Sequence, residues 1–310
     1  MEYEDYENHN KYFVDLTTRA NSNDQEAIRK LYNEYSNETD INQIFDSELI
    51  EFYENHESQP YSLYYYGKMN LFGIGIDQNQ SLGIELLVKS KNLGCSHAYL
   101  DLAILNKLGL YNDETFDDLI KTACEMNNSN AYHYLGLEAK ENGDIDTFLY
   151  NMKKATELGN SNAIHQIGQY YHDLGEYELA VKYYKQGMLL QNSHCYFNYA
   201  VMYREGEGCD KDIDKAIELF KQSSELGNVK AIVSIGEIYH DQGNVELAIE
   251  YYQKVVDDPL ACYNLGLIYL DRREDEEAIR MFLKGAELGN FNCIMKLTKL
   301  GIPFEMSELS

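Results

Sequence analysis

The chain has 310 residues, 44% of them hydrophobic and 25% charged, as in a folded globular protein. Its 52 Asp and Glu against 26 Lys and Arg give a formal charge of −26. That excludes simple electrostatic binding to nucleic acid or to an anionic membrane, since both need a basic surface. Only 3 prolines, with 28 tyrosines and no tryptophan, favour long uninterrupted helices over a Pro-rich linker.

Residues 1–23 are acidic and rich in Tyr. The start, Met1-Glu2-Tyr3-Glu4-Asp5-Tyr6-Glu7, has neither the basic nor the apolar region of a signal peptide, so none is expected. No apolar run approaches the roughly 18 residues of a membrane span. The segment leaves open a short capping helix near Tyr12–Ala20 and partial disorder. Residues 24–57 predict a divergent helix pair, from the helical spacing of Ala27, Ile28, Leu31, Tyr32 and Tyr35 and of Leu49, Ile50, Phe52 and Tyr53. The first 60 residues hold 15 Asp/Glu against 4 Lys/Arg. This is either an acidic docking arm or, more plainly, a solvated face.

From about residue 58 to 301 the chain repeats. A small residue recurs at Gly67, Ala103, Gly136, Gly168, Ala200, Gly236 and Gly266, with Thr298 as a degenerate last copy. Five residues before each stands another small residue, from Ser62 and Ala98 to Ala261 and Cys293. These mark one face of a helix that a neighbour approaches closely, here called helix A. Tyr recurs three residues after the anchor at Tyr171, Tyr203, Tyr239 and Tyr269, where core packing is the plainer reading than recognition.

A second series, Gly83, Phe116, Phe148, Ala180, Ala216, Ala248 and Ala278, is followed two helical turns on by Ser90, Ala123, Ala155, Gly187, Ser223, Val255 and Gly285. This is helix B. Leu93-Gly94, Leu158-Gly159, Leu226-Gly227 and Leu288-Gly289 end it with the signal of a left-handed C-cap. The helix-B anchor lies 20 residues before the next helix-A anchor in six of seven cases; the exception, Ala248 to Gly266, contains Pro259. The A-to-B distance varies from 12 to 16, so that loop absorbs insertions. Its two long forms, Gly73-Ile74-Gly75-Ile76-Asp77 and Gly206-Glu207-Gly208-Cys209-Asp210, read as turns and not as phosphate loops, because neither follows a strand or carries Lys-Ser/Thr. Residues 302–310 form a C-terminal tail in which Gly301-Ile302-Pro303 stops the last helix and Glu305 and Glu308 leave a polar end.

The stretch Cys195 to Phe220, with Ala200, Tyr203, Gly206, Gly208, Asp212, Lys215, Ala216 and Phe220, resembles the Sel-1-like repeat, a relative of the tetratricopeptide repeat. Gly67 to Gly83 follows the same pattern loosely, and the short copies look more like tetratricopeptide loops. The resemblance implies an all-α fold: a right-handed α-solenoid of antiparallel helix pairs, continuous along the chain, with helix A lining a concave groove. Positions three before and one and four after each anchor would then face the groove. They include Tyr64, His133, His165, Phe197 and Tyr263 at the first, Gln169 at the second, and Lys107, Lys140, His172, Arg204 and His240 at the third.

Five consecutive bases in an acidic chain suggest a row that holds the carboxylates of a bound peptide. The competing reading is that cations in the last turn merely complement the helix dipole. The expected role is a non-enzymatic protein-interaction scaffold, with a protein or peptide partner that the basic row would allow to be acidic, and no cofactor, nucleic acid or membrane. A monomer in a reducing cytoplasm is the default, or the host cytoplasm if the source is viral or an effector. A regulatory subunit in signalling or protein quality control is a use of the same scaffold.

An enzyme of the cysteine-rich Sel-1-like β-lactamase type is disfavoured, because Cys95, Cys124, Cys195, Cys209, Cys262 and Cys293 do not recur in pairs and no nucleophile motif stands out. A metal site among His133, His165, His172 and His194 lacks a ligand pattern. Asn37-Glu38-Thr39 and Asn127-Asn128-Ser129 match the glycosylation pattern by chance in this reading.

Overall fold

The computed structural model describes residues 14–22, 24, 27, 47–56 and 58–304. The predicted helix on residues 28–35 and the acidic end at Glu305 and Glu308 lie outside the described residues. Every regular element among those described is an α-helix. They fall into two compact units, Met1–Leu158 and Gly159–Ser310.

The first unit begins with α1 (14–21) and α2 (Ser47–Glu54), followed by α3 (Pro60–Phe72), α4 (Gln80–Asn92), α5 (Ser96–Lys107), α6 (Phe116–Glu125), α7 (Ser129–Glu141) and α8 (Ile145–Glu157). α1 takes in residues 14–20 of the span Tyr12–Ala20, and α2 includes Ser47, which lies 20 residues before Gly67. The second unit holds α9 (Ser161–Asp173), α10 (Tyr177–Leu189), α11 (Ser193–Glu205), α12 (Ile213–Glu225), α13 (Val229–Asp241), α14 (Val245–Gln253), α15 (Pro259–Asp271), α16 (Asp275–Glu287) and α17 (Phe291–Lys299). From α3 onward the odd-numbered helices are A and the even-numbered ones B. Within each unit, every A helix from α3 to α15 packs on the B helix that follows it. This is the helix-pair solenoid class.

Local chemistry fixes where each helix starts. Asn128, Asn160, Asn192 and Asn290 cap A helices by accepting a backbone N–H on the side-chain oxygen, while Thr115, Asp144 and Asp212 do the same for B helices. Three of these asparagines have a second task. Asn128 donates its amide to Ser96 Oγ (3.2 Å), Asn192 to Ser161 Oγ (3.2 Å) and Asn162 Oδ1 (3.0 Å), and Asn290 to the Pro259 carbonyl (2.8 Å). Each bond ties one helix A to the start of the preceding one. Ser90 Oγ to the Pro60 carbonyl (2.6 Å) and Ser223 Oγ to the Ser193 carbonyl (2.8 Å) do the same job from helix B. Where Ser223 does it, Asn228 neither caps nor finds a partner for its buried amide.

The ends follow the predicted rule. Gly94, Gly159, Gly227 and Gly289 take left-handed φ of 84° to 90° at the B-to-A turn. Asn127 and Gln191 stand at the same turn with φ of 58° and 53°, a conformation that costs an L residue about 1 kcal/mol. The short B-to-A interval before Gly266 has a structural cause: α14 stops at Gln253, and Pro259 opens α15 at a position that needs no backbone donor. At the far end Ile302 and Phe304 fold back on the cluster of Phe282, Cys293 and Leu297.

The anchors serve the A–B contact. A β-carbon at Gly168 would lie 2.6 Å from the Tyr184 ring, and one at Gly236 would lie 2.5 Å from the Tyr252 ring; Gly266 faces Phe282 in the same way. Tyr184, Tyr252 and Phe282 all stand four residues after their helix-B anchor and are almost wholly buried. The recurrent Tyr after the helix-A anchor packs as expected: Tyr171 stacks on Tyr183 and Tyr239 lies against Tyr251, each with ring centroids 5.5 Å apart.

In the first unit Gly83 meets backbone instead of a ring. A β-carbon there would come within 2.8 Å of Gly67 O and 2.7 Å of Leu71 N. Gly83→Ala is therefore expected to lower stability by about 2 kcal/mol, the scale of an overpacked core. Gly136→Ala, which meets only the flexible Met152 tip, should cost under about 1 kcal/mol. Urea unfolding midpoints of the two variants would decide it, and equal midpoints would refute the close-approach account.

Candidate interaction surface on the A helices

In the first unit, Tyr64 is fully buried and its hydroxyl donates to Asp101 Oδ2 at 2.8 Å, with Lys68 Nζ 3.6 Å from the same oxygen. Tyr64 therefore leaves the expected groove row. The facing helix α5 covers it, and it serves as a link between repeats. His133 is half-buried, its Nε2 has no partner, and burial pushes its pKa down to about 4. Lys107 forms an ion pair with Glu138 of the next helix A, and its ammonium lies 4.1 Å from the Phe116 ring centroid. Lys140 sits 5.6 Å from the Phe148 ring centroid and makes no ion pair among the described residues.

In the second unit, Asn198 gathers three partners from the preceding repeat. Its amide nitrogen is 3.0 Å from His165 Nε2, 3.0 Å from Gln169 Oε1 and 3.3 Å from the Tyr184 hydroxyl. Gln169 in turn donates to Asp173 at 2.7 Å. His172 Nε2 lies 2.7 Å from Glu207 Oε2, on the long loop of the next repeat. Phe197 packs edge-on to Phe220 at 5.3 Å, and half-buried Tyr263 lies 6.2 Å from Phe282. Arg204 Nε binds Glu205 at 2.7 Å, while its Nη1 is 3.7 Å from Glu237 of the next helix A. Arg204 and exposed His240 both line one cleft of about 670 Å³.

The structure thus groups His165 with Gln169, and Arg204 with His240. His172, Phe197 and Tyr263 are each held by a separate neighbour. Lys107, Lys140, His172, Arg204 and His240 each stand in the last turn of an A helix, but they are not all free cations. Lys107, His172 and Arg204 each face a carboxylate one repeat on, at Glu138, Glu207 and Glu237. Those acids, and Asn198, were not picked out from the sequence. Their signal is a polar residue on helix A or its following loop, at a position that shifts from repeat to repeat. Many helices also end on an acid: Glu141, Asp173, Glu205, Asp241 and Asp271 in A, and Glu125, Glu157, Glu225 and Glu287 in B. Among the described residues, no three His, Cys, Asp or Glu converge as a metal ion requires, and no helix is long and apolar enough to cross a membrane.

Comparison with known proteins agrees with the repeat phase. Residues 60–95 and 193–228 match the Sel1 repeat model, and 161–194, 229–257 and 261–290 match tetratricopeptide repeat models. Among curated proteins, the chain is 33% identical over 85 residues to chitin synthase regulatory factor 4 of Schizosaccharomyces pombe, covering 26% of this chain and 13% of that one. It is 28% identical over 105 residues to the F-box protein At1g70590 of Arabidopsis thaliana, covering 32% and 30%. The chain therefore spans less than a third of either relative. Among solved structures, a protective antigen of uropathogenic Escherichia coli with an SLR fold superposes with a TM-score of 0.54 at 24% identity, over 93% of this chain and 67% of that one. Yeast Tom70 gives 0.52 at 19% identity, over 89% and 58%.

Two measurements test this surface. A double-mutant cycle on Lys107 and Glu138 should return a coupling of about 0.5–1 kcal/mol, typical of a half-exposed pair; a coupling near zero would free Lys107. The buried histidines give a pH test, because burial also pushes His97 down to about 4. An unfolded His titrates near 6.5. Between about pH 6.5 and 4 the unfolded chain therefore binds protons that the folded chain does not, and stability falls as pH falls. Above 6.5 both states are neutral and the contribution is constant. His97→Gln should flatten the unfolding midpoint against pH by up to about 1 kcal/mol per pH unit across that window, and an unchanged slope would contradict the burial of a neutral imidazole.

Proposed function

The chain is a Sel1-like repeat protein of the tetratricopeptide superfamily, and from that premise we propose that it is a non-enzymatic scaffold binding a segment of a partner protein along its A helices. One A helix per repeat offers one set of side chains per step, a natural match to an extended or helical segment. The observation that carries the reading is the hydrogen-bonded set of His165, Gln169, Asn198 and Tyr184. His165, Gln169 and Asn198 are half-exposed and already fixed by the fold, so they lose little freedom on binding, which favours recognition. The two curated relatives, a regulatory factor and an F-box protein by name, support a regulatory or adaptor use over the stretches they share.

The expectation of an acidic partner loses support, since three of the five bases already face carboxylates. A cytoplasmic setting remains part of the proposal. All six cysteines are free thiols, and burial raises the Cys95, Cys195 and Cys293 thiols to between about 11 and 12, which suits structural residues in a reducing compartment.

Affinity capture with a lysine-reactive cross-linker tests the surface. Partner cross-links should concentrate on Lys140 and Lys211, beside the A helices, and spare the exposed helix-B lysines Lys121, Lys182 and Lys221. Links confined to the helix-B lysines would overturn the proposal.

A further inference from the structure

The cleft shared by Arg204 and His240 lies wholly within the second unit, where the end of α11, the loop 206–212, the end of α13 and Asn264 of α15 surround Tyr252. Its lining mixes two kinds of surface. Ile213, Ile238 and the ring of Tyr252 are apolar, and Tyr252 is almost wholly buried. Glu237 and Asp241 lie one helical turn apart on α13 and so share a face.

Neither carboxylate has a hydrogen-bonded counter-charge among the described residues. Among the described residues Glu237 makes no hydrogen bond, and its one counter-charge is Arg204 Nη1 at 3.7 Å, beyond hydrogen-bonding distance. Arg204 is held instead by Glu205 at 2.7 Å. Asp241 is exposed and makes no ion pair. Burial pushes the Glu237 carboxyl above the usual range; Arg204 pulls it down, and the charges of Asp241 and Asp258 push it further up. Lys211 is the other Lys or Arg of the lining, which sets three carboxylates, Glu205, Glu237 and Asp241, against two such bases.

We propose that this cleft receives a Lys or Arg side chain from a basic segment of the partner protein. Such a side chain has an apolar stem and a cationic head. The isoleucines and the Tyr252 ring would take the stem, and Glu237 and Asp241 would take the head. An acidic segment would instead set its carboxylate beside Glu205, Glu237 and Asp241. The inference rests on the scaffold reading and specifies the chemistry of one of its contacts.

The test uses the full chain and two fluorescent probes at physiological ionic strength: a capped alternating Gly-Arg octapeptide and its Gly-Glu counterpart. The Arg peptide should bind and the Glu peptide should not. Glu237→Gln with Asp241→Asn should weaken Arg-peptide binding at least tenfold. Glu276→Gln with Glu287→Gln on α16 removes the same charge elsewhere and should weaken it less than twofold. Glu237→Lys should lose the Arg peptide and gain the Glu peptide, a reversal that a merely unfolded variant cannot produce. Equal weakening by the two double variants, or preference of the parent for the Glu peptide, would overturn the inference. If the Arg peptide fails to bind while native partners are still captured on the A-helix lysines, the cleft assignment falls and the scaffold reading stands.

Discussion

A bare patch on helix A that admits a side chain of helix B organises the molecule. Gly168, Gly236 and Gly266 have no β-carbon because Tyr184, Tyr252 and Phe282 occupy that space. Burying a ring of this size is worth about 1.5–3 kcal/mol, and that gain is available only when the backbone of helix A comes close enough to cover it. The contact sets the separation of the two helices, and the fixed B-to-A turn then sets where the next helix A can lie. Residues that look like generic repeat markers are thus the two halves of one steric fit. In the first pair the fit is closer still, backbone against backbone, because both anchors, Gly67 and Gly83, are glycines.

Once the A helices are set side by side, their polar side chains meet across the interface. Asp101 takes the Tyr64 hydroxyl, Asn198 takes His165 and Gln169, and Glu138, Glu207 and Glu237 face Lys107, His172 and Arg204. Each contact joins one repeat to the next, so the polar surface of the A helices helps to hold the stack together. The bases are used twice: they suit the negative end of their own helix and they answer an acid on a neighbour. What remains open to a partner is what the stack does not use, chiefly Lys140, His240 and the cleft carboxylates.

Much of this was legible in the sequence. The anchors, the glycine C-caps, the variable A-to-B loop and the break before Pro259 all depend on a few residues close together in the chain, and all appear where periodicity puts them. The surface was legible in its positions and not in its state. Tyr64 and Tyr263 hold the same place in their repeats, yet one is fully covered and the other half-covered, because what covers each is a different neighbouring helix. The acids that answer the basic row lie 31 to 35 residues downstream of their partners and at changing offsets from the anchor. A pattern of fixed period cannot find a partner that moves from repeat to repeat; only the stacking does.

The capping asparagines carry a further consequence. Asn128, Asn192 and Asn290 use the oxygen for their own helix and the nitrogen for the helix before, while at other interfaces Ser90 or Ser223 supplies that second bond and the cap is left other duties. Interfaces built on the two schemes are not interchangeable. An asparagine amide at such a junction that finds no acceptor is buried without a partner, as Asn228 is. The polar seam is therefore not one motif repeated: Asn128, Asn192 and Asn290 carry it at three junctions, and Ser90 and Ser223 carry it at two others.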